Sequence, residues 1–288
     1  MIVFLGSFIV VGSVLGGFIM GGGHIPALLH LSELIMIAGA ALGALVIMSP
    51  KKVLIDLGKL TLLSIKGAPY NRVAYEDLLK ALYELFLLGR RNGMIALEEH
   101  VMNPETSVIF QKYPSFIKNH HAISFLCNGL RPIIDGKIKP DQLRVLMDVE
   151  METMETEHHA PISVLTKAAD AMPGFGIVAA VLGIVITMAA ISGPIEEIGH
   201  KVAAALVGTF LGIFLSYGFM NPLAVNMEFI CASEMAFTRC IAASVVSFAN
   251  GMAPIMAVEI ARRGLSSDVR PTSDALEAML KALNVQKA

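Results

Sequence analysis

Tryptophan is absent from the chain of 288 residues, cysteine occurs three times, and only 16% of the residues are charged against 55% that are hydrophobic. Each scarcity excludes something. A soluble domain carries about 25% charged residues, so an ordinary water-soluble enzyme and a disordered chain are both out, and a mean hydropathy of +0.67 points to a membrane protein. A net charge of −2 supplies no basic face for nucleic acid. Cys127, Cys231 and Cys240 form no CxxC pair and no disulfide framework, which fits a reducing compartment for at least part of the chain. Without tryptophan, interfacial anchoring falls to Tyr, Phe, Lys and Arg.

The charges that exist are unevenly placed. Residues 1–32 contain no Asp, Glu, Lys or Arg, and no basic n-region marks a secretory signal, so Met1 to about Met20 is expected to be a retained first span. Leu34–Pro50 gives 17 uncharged residues, stopped by Lys51-Lys52, as a second span. Residues 51–170 hold 15 Lys/Arg and 15 Asp/Glu, a water-soluble stretch. Its apolar residues Leu78, Leu79, Leu82, Leu85, Phe86, Ile95 and Leu97 recur at helical spacing. Breaks are expected at Asn103-Pro104, Tyr113-Pro114, Asp135-Gly136 and Lys139-Pro140, followed by a helix from Pro140 to about Asp170 that runs into the membrane. Ala171–Ile195 and Val202–Met227, with 25 and 26 uncharged residues, are spans three and four around a very short loop.

Cys240–Val258 is a fifth uncharged stretch, of 19 residues, but crossing there would export Arg262, Arg263 and Arg270. With four spans, 21 of the 22 Lys/Arg lie on one side, which the positive-inside rule makes cytoplasmic. The expected fold is therefore all-α: membrane helices in 1–50 and 171–227, a helical cytoplasmic domain in 51–170, and a cytoplasmic tail in 228–288 with a covered or amphipathic helix near 240–258. Both termini are placed inside.

The spans as drawn contain no Asp, Glu, Lys, Arg or His. A self-sufficient proton or cation pump needs such a group at depth, so any titrating group has to come from another chain. What the spans do contain is small residues: Gly12/Gly16, Gly17/Gly21, Gly39/Gly43 and Gly208/Gly212 all match GxxxG, with Ala179, Ala180 and Gly183 nearby. These serve either packing within one subunit or assembly around a shared axis or partner helix. Pro173 is expected to open span three, a harmless position, whereas Pro222 is expected to kink span four from within. Thr187, Thr209, Ser216 and Tyr217 are the polar groups at depth, by default back-bonded to their own helix.

The run Asp170-Ala-Met-Pro-Gly-Phe-Gly-Ile-Val-Ala-Ala-Val-Leu-Gly-Ile-Val, and the later Ala205-Leu-Val-Gly-Thr-Phe-Leu-Gly-Ile-Phe-Leu-Ser-Tyr-Gly-Phe-Met-Asn-Pro-Leu, resemble the last two spans of the MotA family of flagellar stator subunits. The likeness extends to Leu31-Ser-Glu-Leu, Gly93-Met-Ile-Ala-Leu-Glu98, Asn103-Pro-Glu-Thr-Ser-Val-Ile-Phe110 and Asn250-Gly-Met-Ala-Pro254. The resemblance implies five copies around two copies of MotB in the bacterial inner membrane, with MotB supplying the proton-accepting aspartate. Ion passage would turn the ring and drive the rotor protein FliG. It implies an ion-pathway and coupling role for Pro173, Ala180, Thr209, Tyr217 and Pro222. It assigns rotor contact to Arg90, Glu98 and Glu150. Arg90 and Glu98 share a helix face only if Gly93 does not break the helix. Ala180 stands where sodium-type relatives carry threonine, which implies protons.

Two rivals remain beside this reading. An ExbB/TolQ-type transducer has three spans and an outside N-terminus, against the first span here. An independent transporter needs a midplane charge or broken-helix pair and an internal repeat, and the sequence has neither. No enzymatic activity, cofactor or metal is expected: His120-His121 and Glu157-His158-His159 lack HExxH spacing, and no GxxxxGK[ST] is present.

Overall fold

The computed structural model describes residues 2–67, 69–189 and 191–285, and these contain helices and no β-strand. Four helical elements are long and apolar enough to cross a membrane: Ile2–Met20, Ile25–Met48, Pro140–Ala189 and Ile195–Ala249. The chain divides into two compact units, residues 1–67 with 157–230, and residues 68–156 with 231–288.

The first unit holds α1 (Ile2–Met20), α2 (Leu31–Met48), α3 (Lys51–Lys66), the distal part of α8 (Pro140–Ala189), α9 (Ile195–Leu215) and the start of α10 (Asn221–Ala249). α1 buries no residue and is apolar all round, the pattern of a helix solvated by lipid. α2 buries one stripe, Glu33, Ile37 and Ala41, at the i, i+4, i+8 spacing of a single helix face. Ile37 and Ala41 share a small apolar core with Met172 and Ala179. α2 begins at Leu31, so Glu33 lies inside the helix and is 5% exposed, its carboxylate accepting a 2.6 Å hydrogen bond from the Ser32 hydroxyl. The helix thus starts three residues before the uncharged stretch expected from Leu34, and its first turn carries a buried acid to which a seryl hydroxyl donates.

The second unit is built around α4 (Arg72–Asn92), which buries residues on nearly every side. The Asn71 side chain accepts from Ala74 N at 3.0 Å and so starts the helix. Around it pack α5 (Glu98–Met102), α6 (Pro114–Ile117), α7 (His120–Ile134), the rest of α10, α11 (Pro254–Arg263) and α12 (Ser273–Val285). Phe86 of α4 stacks on Phe248 of α10 at 4.4 Å between ring centroids. Cys127, Cys231 and Cys240 are buried and free, and burial pushes the Cys127 thiol up to about 11.

The proline breaks fall where the sequence puts them: Pro104 and Pro114 open short helical turns, Pro140 opens α8, and Gly136 takes φ +65° in the turn before it. Elsewhere the structure corrects the sequence reading. The helix expected near 240–258 is two helices, because α10 ends at Ala249 and Gly251, at φ +84°, turns the chain before Pro254 opens α11. Ile95 is 76% exposed in a short 3₁₀ turn (Met94–Leu97) rather than lining a helix face. Pro173 lies inside the continuous 50-residue α8 instead of at a helix start.

Candidate functional site

Within the first unit, α8 and α9 run antiparallel along a seam of residues with little or no side chain. A Cβ added at Gly212 would stand 2.7 Å from the Met172 carbonyl oxygen and 3.0 Å from the Gly176 Cα. One at Gly176 would stand 2.9 Å from the Gly208 carbonyl oxygen and 3.3 Å from the Thr209 Cα. At Gly208 it would meet the Ala179 Cβ at 3.2 Å and the Ala180 nitrogen at 3.5 Å, and at Gly183 the Ala205 Cβ at 2.9 Å. The backbones are in contact, so this is a small-residue helix pair in the sense that membrane helices use. The seam brings Ala180 and Thr209 to the same level on facing helices, each half-buried.

Of the four GxxxG pairs, only Gly208/Gly212 packs against another helix among the described residues. A Cβ at Gly12, Gly16, Gly17, Gly39 or Gly43 meets nothing within 4 Å, and at Gly21 it meets only oxygens of its own helix. Gly176 carries as much of the seam as Gly208 does, yet it belongs to no GxxxG pair. Its signal is the stripe Gly176, Ala179/Ala180, Gly183, small residues recurring at helical spacing on one face.

At one end of the seam the segments preceding the two prolines are hydrogen-bonded to each other. Asn221 Nδ2 donates to Asp170 Oδ1 at 3.2 Å and to the buried Ser216 Oγ at 3.5 Å, tying the residues just before Pro222 to those just before Pro173. Ser216–Met220 is a π-helical turn, and Pro222 follows as the second residue of α10. Pro222 is thus not an isolated mid-helix kink: the backbone absorbs the missing N–H by widening the preceding turn. Tyr217 sits on that wide turn with 62% of its surface exposed, and Pro222 is exposed as well. Thr187, in contrast, is back-bonded, its hydroxyl donating to the Gly183 carbonyl at 2.8 Å.

The second unit carries the three charges singled out in the sequence. Arg90 lies in the last turn of α4 and Glu98 opens α5, both exposed. Gly93, at φ +85°, ends α4 between them, so they do not share one helix face. α5 is held beneath Glu98 by the buried His100, whose Nδ1 lies 2.8 Å from the Ser107 hydroxyl, and burial pushes the imidazole below its usual pKa. Glu150 is half-buried on α8. Among the described residues none of Arg90, Glu98 and Glu150 has an ion-pair partner. No group of three His, Cys, Asp or Glu among those residues could hold a metal ion.

Four helices long and apolar enough to cross a membrane, two of them packed backbone to backbone through small residues, define a polytopic helical membrane protein. Residues 118–229 match the MotA/TolQ/ExbB proton channel family, and residues 4–93 match the family Motility protein A N-terminal. Motility protein A of Salmonella typhimurium is 38% identical over 98% of this chain and 96% of its own length. The fold resembles the MotAB stator complex of Bacillus subtilis (25% identity, TM-score 0.74, 96% of this chain and 98% of that one). It likewise resembles C. jejuni MotAB (22% identity, TM-score 0.77, 94% and 98%). The chain belongs to the motility protein A family.

Proposed function

We propose that this protein is a stator subunit that couples proton flow across the inner membrane to rotation of the flagellar rotor. α1, α2, the distal part of α8, and α9 with the start of α10 cross the bilayer, with both termini, the second unit and the tail in the cytoplasm. Five copies surround two copies of a single-span MotB-type partner whose aspartate takes up and releases each proton. Arg90 and Glu98, with Glu150 in support, engage the rotor protein FliG.

The observation that carries the reading is the α8–α9 seam. Residues 171–195 and 202–227 contain no titratable side chain apart from Tyr217. The seam therefore offers a wall along which a borrowed carboxylate passes without an ion pair to trap it. When that aspartate is charged it favours polar surroundings, and when neutral it tolerates apolar ones, so each proton changes which helix face is preferred. One charge crossing about 100 mV releases about 2.3 kcal/mol, enough for a small step of a rigid ring. The paired Pro173 and Pro222 regions, linked by Asn221 and Asp170, form the bending point between membrane and cytoplasm. Ala180 supplies no hydroxyl beside Thr209, leaving a poor oxygen cage for sodium and an adequate path for protons.

Complementation tests the reading. In a strain lacking its stator, this chain expressed with a MotB-type partner restores swimming that collapses when the proton gradient is dissipated. Swimming that persists on a sodium gradient alone, or no swimming with any such partner, would contradict it.

A further inference from the structure

α3 follows α2 after only Ser49 and Pro50, and its sequence carries four lysines against one aspartate. Its buried side is narrow, centred on Leu57 and Ser64. Its exposed side combines two kinds of residue that water alone does not explain. Ile55, Leu62 and Ile65 are 49%, 52% and 36% exposed, and Lys51, Lys52, Lys59 and Lys66 are exposed among them. At about 100° per residue, all of these fall within an arc of about 140°. Lys52 pairs with Glu157, and Lys59 reaches Asp56 at 3.4 Å. Among the described residues Lys51 and Lys66 have no acidic partner.

A basic surface with apolar side chains between the lysines, placed directly after a membrane helix, matches one kind of partner. We propose that the exposed face of α3 lies in the headgroup layer of the cytoplasmic leaflet and selects anionic phospholipid. Ile55, Leu62 and Ile65 enter the acyl boundary, and Lys51, Lys59 and Lys66 contact lipid phosphates. Two features favour a lipid over a protein partner. The face is continuous with the end of a spanning helix, and its unpaired charge is all positive, complementary to anionic headgroups. The inference rests on the membrane topology proposed above, but not on torque generation.

The absence of tryptophan provides the test. Leu62→Trp introduces a single fluorophore on this face, and Ile55→Trp is a second reporter should the first perturb folding. The full-length chain is placed in phosphatidylcholine nanodiscs containing either phosphatidylglycerol or phosphatidylcholine brominated near the head of the acyl chain. Quenching by the brominated anionic lipid should exceed that by the zwitterionic one by about threefold or more. The triple change Lys51→Gln, Lys59→Gln, Lys66→Gln should erase the difference, whereas the corresponding Arg triple should keep it. Equal quenching by both lipids in the unaltered lysine background would overturn headgroup selection. No quenching by either would mean that protein, such as a second copy of the chain, covers the face. Swimming of the same variants is scored separately, so loss of stator function and loss of lipid preference are told apart.

Discussion

Replacing Gly212 by Ala puts the seam to a quantitative test. The new Cβ would sit 2.7 Å from the Met172 carbonyl oxygen and 3.2 Å from the Gly176 nitrogen. Both are backbone atoms, so no rotamer change relieves the contact. Restoring an ordinary separation of about 3.4 Å requires the helices to part locally by about 0.7 Å, and a gap of that size forfeits roughly a quarter to a half of each dispersion contact. Overpacking of this kind costs about 1–3 kcal/mol. Gly176→Ala, whose Cβ would meet the Gly208 oxygen at 2.9 Å, belongs to the same class. Gly39→Ala and Gly16→Ala are the controls, since a Cβ there meets nothing within 4 Å among the described residues. The assay is thermal unfolding of the purified chain in detergent, below the concentration at which it assembles. Gly212→Ala and Gly176→Ala should lower the midpoint while the controls leave it unchanged. A Gly212→Ala chain as stable as the parent, or an equal loss in Gly39→Ala, would refute the seam as the internal contact.

Three further outcomes are expected. Arg90→Glu should impair swimming while leaving assembly intact, and charge reversal on FliG should restore it; no restoration by any rotor charge would count against direct contact. Pro222→Ala restores an N–H and lets the preceding π turn tighten, so it should spare membrane insertion and reduce torque in a tethered-cell assay, while unchanged torque would remove this turn from coupling. In the second unit, Arg262 grips Glu259 with two hydrogen bonds of 2.7 Å and holds its carboxyl at about 2, below its ordinary 4.5. The stabilisation from this pair is fully present above about pH 4.5 and lost as pH falls towards 2, so Arg262→Met should flatten acid unfolding across that window, as followed by circular dichroism.

Much of the membrane part is legible in the sequence because charge is costly in lipid: the uncharged stretches ending near Met20 and Pro50 coincide with α1 and α2. The helix starts at Pro104, Pro114 and Pro140 are legible because proline fixes φ locally. The choice among the GxxxG pairs is not, since spacing states that two glycines share a face but not which helix meets it. Gly176 escapes the motif because its partners lie on α9, not four residues away. The π turn before Pro222 depends on how the backbone relaxes around a missing donor, and the side-chain bond that ties Asn221 to Asp170 spans 51 residues of sequence. Glu33 looks like the polar edge of a span, and only packing shows it turned inward on the stripe with Ile37. For Arg90 and Glu98, Gly93 raises the doubt in sequence and its positive φ decides it.

The central claim is that this chain builds the wall of a proton path and takes the titrating carboxylate from a second chain. The most direct measurement is proton flux into liposomes containing this chain alone, this chain with its single-span partner, and this chain with the partner's membrane Asp changed to Asn. Flux that appears only with the unaltered partner is the predicted result; flux from this chain alone, or undiminished flux with the Asn partner, would contradict it.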